Sequence, residues 1–87
     1  MRIFELDGAA VKSREDLHRR LAEGLNFPDW YGGNLDALYD CLTDLEETTL
    51  CITNRAAMEE ILGDYVNRFF RVLTDAAAEN PNLRIEY

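Results

Sequence analysis

Two aspartates four residues apart, Asp36 and Asp40, are the residues of this chain whose type and spacing could do chemistry. They lie in the segment 27–42, which also contains the adjacent aromatics Trp30 and Tyr31 and a Gly-Gly pair. Side chains four apart on a helix project side by side, so the two carboxylates can act on one cationic group. Such a pair is typical of a solvated polar surface, of an acid/base pair or of a site for a basic partner.

The sequence around the two aspartates carries negative charge without compensation. No Lys or Arg occurs between Arg20 and Arg55, while the chain of 87 residues has nine basic residues, seventeen acidic residues and a net charge of -8. The acids of this interval are Glu23, Asp29, Asp36, Asp40, Asp44, Glu46 and Glu47. Each contact to a phosphate requires a basic side chain, so this composition argues against direct binding to nucleic acid or to an anionic membrane. A cationic protein is the partner that the charge favours.

Length and composition predict one folded domain over residues 1–87. Apolar residues make up 47% of the chain, which is enough for a core and argues against a disordered acidic tail. No segment resembles a signal peptide or approaches the length of a transmembrane helix, so we expect a cytoplasmic protein. Cys41 and Cys51 are too few and too far apart for a zinc site. We therefore expect free thiols, no metal and no cofactor.

Short apolar runs alternate with segments of helical spacing. Strands are predicted at 3–6, 48–53 and 83–87, and the β-branched composition of 48–53 favours a central strand. Helices are expected between them, closed at their N-termini by Ser13, Asn34 and Asp64 and at their C-termini by Gly24 with Asn26, by Gly63 and by Asn80. The order β-α-α-β-α-α-β favours an α/β fold with a three-stranded parallel sheet.

The second predicted helix has an apolar side and an acidic side. Its apolar residues are Leu35, Leu38, Tyr39, Leu42 and Leu45, and the opposite side carries Asp36, Asp40 and Thr43. A solvated polar face is the commoner explanation of acids at this spacing, and Trp30 or Tyr31 could equally plug the core under the first helix. Large aromatics beside charges are also typical of the residues that dominate protein interfaces.

The segment from Tyr31 to Thr43, with Tyr31-Gly32, Asn34-Leu35-Asp36-Ala37-Leu38 and Asp40-Cys41-Leu42-Thr43, resembles the signature of the barstar family. These proteins are intracellular inhibitors of a secreted guanyl-type ribonuclease. The resemblance extends less sharply to Asp16-Leu17-His18 and to the last helix and strand. It implies a barstar-like fold with about four helices and a ribonuclease inhibitor, or immunity protein, that is not an enzyme. The implied partner is a basic extracellular or toxin-type ribonuclease in a one-to-one complex, with the inhibitor monomeric when free.

The resemblance also implies roles for single residues. Asp40 would occupy the phosphate site of the ribonuclease against its catalytic arginines and histidine, and Asp36 would pair with neighbouring basic residues. Trp30 stands where the family has a tyrosine that stacks on the catalytic histidine, and Tyr39 stands where barstar has a tryptophan. The partner-binding residues expected from the sequence and the resemblance are Asp29, Trp30, Tyr31, Gly32, Asn34, Asp36, Tyr39, Asp40, Thr43, Asp75 and Glu79.

The match in the last helix is less close. Asp75 matches a glutamate that binds a further arginine and is one methylene shorter, and Glu79 matches a second, weaker acid. Gly33 replaces an acid of the family, and the stretch after Thr43 differs strongly. The resemblance therefore leaves the identity of the ribonuclease open. An ion pair between Asp75 and Arg71 within the helix is an equally good account of Asp75.

Three other functions can be compared with the sequence, and it argues against the first two. Leu35-Asp36-Ala37-Leu38 is similar to the Asp-Ser-Leu site of acyl carriers, but Ala37 has no hydroxyl to carry a prosthetic group. An enzyme would have to combine Cys41 or Cys51 with His18, or use the two aspartates as an acid/base pair. We expect His18 to be structural, either capped or exposed, because catalysis needs groups that converge on one pocket. The third is an acidic module that mimics nucleic acid and binds a different basic protein.

Overall fold

The structure is a computed structural model that describes residues 1–87. Its elements are β1 (Arg2–Asp7), α1 (Arg14–Leu25), α2 (Leu35–Thr43), β2 (Thr48–Thr53), α3 (Arg55–Leu62), α4 (Tyr65–Glu79) and β3 (Leu83–Glu86). This is the order predicted from the sequence, and each predicted helix and strand is present. None of the four helices combines the length and the apolar content that a helix needs to cross a bilayer.

The three strands form one parallel sheet in the order β1-β2-β3. The central place of β2, which its composition predicts, is confirmed. Phe4 pairs with Leu50 and Leu50 pairs with Ile85, so side chains in these rows lie on the same face of the sheet. Thr48, Leu50 and Ile52 are buried, while the residues that alternate with them along β2 are half-buried. One face of the sheet is therefore the floor of the core.

A single apolar cluster of 17 buried residues joins the sheet to the helices. Leu17, Leu21 and Leu25 of α1 belong to it, as their spacing predicts, and so do Leu38 and Leu42 of α2. α2 also packs against α4. Burial of one side of α2 directs the opposite side, which carries the aspartates, away from the core.

Side-chain caps begin α1 and α2, as predicted. Ser13 Oγ and Asn34 Oδ1 each accept from the backbone N–H three residues on, at 3.0 and 2.8 Å. The predicted cap at Asp64 is wrong, because its backbone is already helical at φ -62° and its carboxylate caps no backbone N–H of α4. The carboxylate of Asp64 accepts instead from Asn67 Nδ2 at 3.2 Å.

The end of α1 is set by Asn26 and not by Gly24. Asn26 takes the left-handed conformation with φ 56°, and its N–H donates to the carbonyl of Ala22. Gly24 lies within α1, where a Cβ would come within 2.3 Å of the Phe4 ring. The glycine thus allows α1 to lie directly on β1, and its role is packing.

Asn80 joins the end of α4 to the end of α2. Its side chain is buried, and Nδ2 donates to the carbonyls of Leu42 and Leu45 at 3.0 Å each. Oδ1 accepts from the N–H of Asn82 at 2.9 Å. The sequence predicts only the end of a helix at this position. In the structure the amide fixes α2 against α4.

We expect Asn80→Ala to lower the free energy of unfolding by about 1 to 3 kcal/mol, because it removes the buried amide that donates to the carbonyls of Leu42 and Leu45. Urea unfolding followed by circular dichroism measures this. Asn82→Ala is the matched control, since the Asn82 side chain is exposed and only its backbone is used. The control should change the free energy by less than about 0.5 kcal/mol. Equal losses in the two variants would contradict the role of the Asn80 amide.

Candidate functional site

α2 presents two unpaired carboxylates to solvent. Asp36 and Asp40 are both exposed, and neither takes part in an ion pair. The ion pairs of the chain all join Arg19 or Arg20 to acids of α1. No cation of the chain neutralises the two aspartates, so both are available to a cationic partner.

A glycine turn leads from the aromatic loop into α2. Gly33 has φ 70°, a conformation that residues with a side chain rarely adopt. Asn34 follows it as the cap, so Asp36 lies in the first turn of the helix, where the helix dipole favours a negative charge. Asp40 lies beyond that turn. A partner's cation is therefore the main compensation open to Asp40.

The two adjacent aromatics have different surroundings. Trp30 is 63% exposed. Tyr31 is half-buried, with its ring centroid 4.9 Å from that of Phe27 and its hydroxyl hydrogen-bonded to His18. Of the two alternatives that the sequence leaves open for these aromatics, burial is the one that applies to Tyr31, because its ring and hydroxyl pack on these two side chains. Trp30 is the aromatic of the loop that a partner can reach.

His18 connects three parts of the fold. The side chain is buried, its Nδ1 is hydrogen-bonded to the Tyr31 hydroxyl, and its Nε2 lies 2.7 Å from the Tyr65 hydroxyl. Of the two expected alternatives, the histidine is capped, with a hydroxyl on each ring nitrogen, and it is not exposed. Burial lowers the pKa of His18, and the nearby charge of Glu15 opposes that shift in part.

The other expected contacts on the loop and α2 have mixed exposure. Asp29 and Gly32 are exposed, and Tyr39 is half-buried against the core. The Thr43 hydroxyl lies 3.0 Å from each of the carbonyls of Tyr39 and Asp40, so its proton is used within the helix. Its oxygen can still accept a hydrogen bond. The roles of these residues in binding stay predictions.

Two further acids lie on α4. Asp75 and Glu79 are exposed, and the C-terminal end of their helix meets the end of α2 through Asn80. The ion pair between Arg71 and Asp75, which the sequence also permits, does not form. Like the aspartates of α2, Asp75 therefore makes no ion pair within the chain.

The catalytic groupings that the sequence permits, a thiol with His18 or an acid/base pair in a pocket, are not formed. Cys41 is buried, Cys51 is half-buried with its Sγ 3.6 Å from Glu86, and burial raises the pKa of both thiols. Both ring nitrogens of His18 are occupied by tyrosine hydroxyls and by neither thiol. The aspartates of α2 line none of the three surface cavities. No group of three His, Cys, Asp or Glu side chains is arranged to hold a metal ion.

Comparison with known proteins agrees with the resemblance seen between Tyr31 and Thr43. The family model described as Barstar (barnase inhibitor) matches residues 1–87. The chain belongs to the barstar family. A protein of Bacillus subtilis (strain 168) named "Putative ribonuclease inhibitor YrdF" is 40% identical over 81 residues, which cover 91% of this chain and 89% of the relative. Membership of the barstar family therefore extends well beyond the α2 segment that first indicates it.

The burial of His18 predicts that this barstar-family protein loses stability as the pH is lowered from the ordinary histidine value of 6.5. The pKa of His18 is lower in the folded chain, so the unfolded chain takes up the proton first, and stability declines until the pH passes the folded-state pKa. Urea unfolding at about pH 7.5, 6.5 and 5.5 measures the effect. His18 is the single histidine, so His18→Gln is the control. In this variant the free energy of unfolding should change little over the same pH range. The same slope in His18→Gln would assign the effect to carboxylates.

Proposed function

We propose that this barstar-family protein inhibits a basic ribonuclease by covering its active site with α2 and the loop that precedes it. The observation that carries the proposal is the pair Asp36 and Asp40, exposed, without internal cations and one turn apart on a helix held against the core. The description of the family and the name of the Bacillus subtilis relative both refer to ribonuclease inhibition, and both support it.

Asp40 would take the place of a substrate phosphate. A ribonuclease surrounds that phosphate with cationic side chains, and a carboxylate accepts strong charge-assisted hydrogen bonds from the same groups. A carboxylate on a helix offers no bond to cleave. α2 is capped by Asn34 at one end and tied to Asn80 at the other, so little conformational freedom would be lost on binding.

Trp30 and the acids of α4 would extend the contact around Asp40. A tryptophan that is 63% exposed supplies the large, rigid aromatic area that often dominates the energy of an interface. Tyr39 would lie beside the site, and Asp75 and Glu79 would meet further basic residues of the ribonuclease. The complex would contain one copy of each protein, because a single α2 covers a single active site.

We expect Asp40→Ala to weaken binding to a barnase-type ribonuclease more than any other single change. Removing one member of a buried charge pair costs about 2 to 5 kcal/mol, since the cations of the partner stay buried and unpaired. Asp36→Ala and Trp30→Ala should follow. Isothermal titration calorimetry measures the affinities, and circular dichroism should show that each variant, changed at an exposed position, remains folded.

Glu60→Ala is the matched control for the loss of one negative charge. Glu60 is exposed on α3, a helix that packs on α4. The Glu60→Ala variant should bind the ribonuclease within about twofold of the unchanged protein. A loss for Glu60→Ala as large as for Asp40→Ala would show that the acids act only as a diffuse field. Binding to basic proteins in general, with no preference for a ribonuclease, would favour the nucleic-acid-mimic alternative.

The rate of association should fall steeply as salt is added. Seven acids without a base lie between Arg20 and Arg55, and exposed charges attract a cationic partner over about 10 Å at 0.1 M salt. Such steering is known for the barnase–barstar pair itself. Stopped-flow rates at about 0.05 and 0.5 M NaCl measure it, and the dissociation rate should change much less. An association rate that is independent of salt would reject steering.

A further inference from the structure

The loop that carries Trp30 is fixed to the body of the protein by its neighbour. Trp30 is 63% exposed, whereas Tyr31 is half-buried and hydrogen-bonded to His18. On the other side of Tyr31, the backbone of Gly33 also lies close to His18, with 3.9 Å between the His18 Cβ and the position of a Cβ at Gly33. The Tyr31 hydroxyl and the backbone at Gly33 thus both lie beside one histidine of α1.

The histidine is itself held by α4. Its Nε2 lies 2.7 Å from the Tyr65 hydroxyl, and the Tyr65 ring is covered by two guanidinium groups, with Arg14 at 4.3 Å and Arg68 at 5.4 Å from the ring centroid. Tyr65 is 7% exposed, so the ring has little freedom to move. We call Tyr31, His18 and Tyr65 the tyrosine–histidine clamp.

We propose that the tyrosine–histidine clamp is a set of positioning residues that holds Trp30 in the orientation needed by the partner. The inference rests on the proposed function, in which Trp30 contacts the ribonuclease. It assigns to Tyr31 a role in the interior of the inhibitor, through His18, in addition to any contact that its ring makes at the surface.

Hydrogen-bond capacity explains why all three residues are needed. A neutral imidazole has one N–H donor and one acceptor nitrogen, so one tyrosine hydroxyl accepts from His18 and the other donates to it. Removing either hydroxyl leaves a ring nitrogen buried without a partner, and the closed arrangement loses stability relative to open ones. The apparent Kd rises as the fraction of molecules with the loop in place falls.

The clamp also depends on the protonation of His18. A second ring proton makes both nitrogens donors, so the hydroxyl that donates to neutral His18 must turn its own proton away from the ring and loses that hydrogen bond. Arg14 and Arg68 on Tyr65 disfavour the added charge, and Glu15 on α1 favours it. Both tyrosines stay neutral, because burial raises their pKa. The loop should therefore loosen when the pH is lowered below 6.5, the ordinary histidine value.

The free protein permits a test that involves no ribonuclease, because Trp30 is the single tryptophan. Time-resolved fluorescence anisotropy should show more rapid local motion of Trp30 in Tyr31→Phe and in Tyr65→Phe than in the unchanged protein. Tyr87→Phe is the matched control, since it removes a hydroxyl from an exposed tyrosine that contacts Thr74 and not the clamp. Lowering the pH should increase the motion in the unchanged protein and leave His18→Gln unaffected.

Binding to a barnase-type ribonuclease tests the consequence for inhibition. Tyr31→Phe and Tyr65→Phe should each raise the Kd by about three- to tenfold at neutral pH, and Tyr87→Phe should not. In a Trp30→Ala background the same changes should have little effect, because the clamp acts through Trp30. A purely structural role would give an equal loss in both backgrounds and would overturn the proposal.

The two measurements separate failure of this inference from failure of the proposed function. If the unchanged protein binds no such ribonuclease, the proposed function fails, while the anisotropy of the free protein still decides whether the clamp holds Trp30. If the ribonuclease is bound tightly and Trp30 moves equally in all the tyrosine variants, the clamp is rejected and the inhibitory function stands.

Discussion

The main constraint on this structure is that α2 must display like charges without a cation of its own chain. Carboxylates one turn apart repel each other by about 0.2 to 0.5 kcal/mol on an isolated helix, and the helix dipole compensates Asp36 more than Asp40. Burial of a single leucine contributes about 1.5 to 3 kcal/mol. Leu38 and Leu42, both fully buried beneath α2, therefore outweigh the repulsion several times over. The free energy gained by burying the apolar side of α2 therefore offsets the charge repulsion on its acidic side.

Apolar burial alone leaves the helix free to slide or rotate by small amounts, and buried polar contacts remove that freedom. Asn80 fixes the C-terminal end of α2 through two carbonyls, and His18 fixes the loop at the other end through Tyr31. Each contact is directional, and no buried side-chain nitrogen or oxygen in the protein lacks a hydrogen-bond partner. For an inhibitor in the barstar family this rigidity is useful, because groups already in place lose little entropy on binding.

The sequence predicts features that depend on neighbouring residues, and it fails where the partner is distant in the chain. Strand 48–53, its central place and the two faces of α2 follow from local composition and period, and all three are observed. His18 and Asn80 could not be understood this way, because their partners lie up to 47 and 38 residues away. The packing role of Gly24 cannot be predicted for the same reason, since it depends on the Phe4 ring. At Asp64 the residue type suits a cap, but the backbone has already become helical.

The acids and the tryptophan at the centre of the proposed contact make few interactions within the fold. Asp36, Asp40 and Asp75 make no ion pair within the chain, and Trp30 leaves most of its surface in water. His18 and Asn80, which support the loop and the end of α2, are buried. This separation would let an exposed residue change without disturbing the buried contacts beneath it. It also means that the free protein carries unfavourable charge repulsion and an exposed aromatic, both of which a cationic active site would relieve.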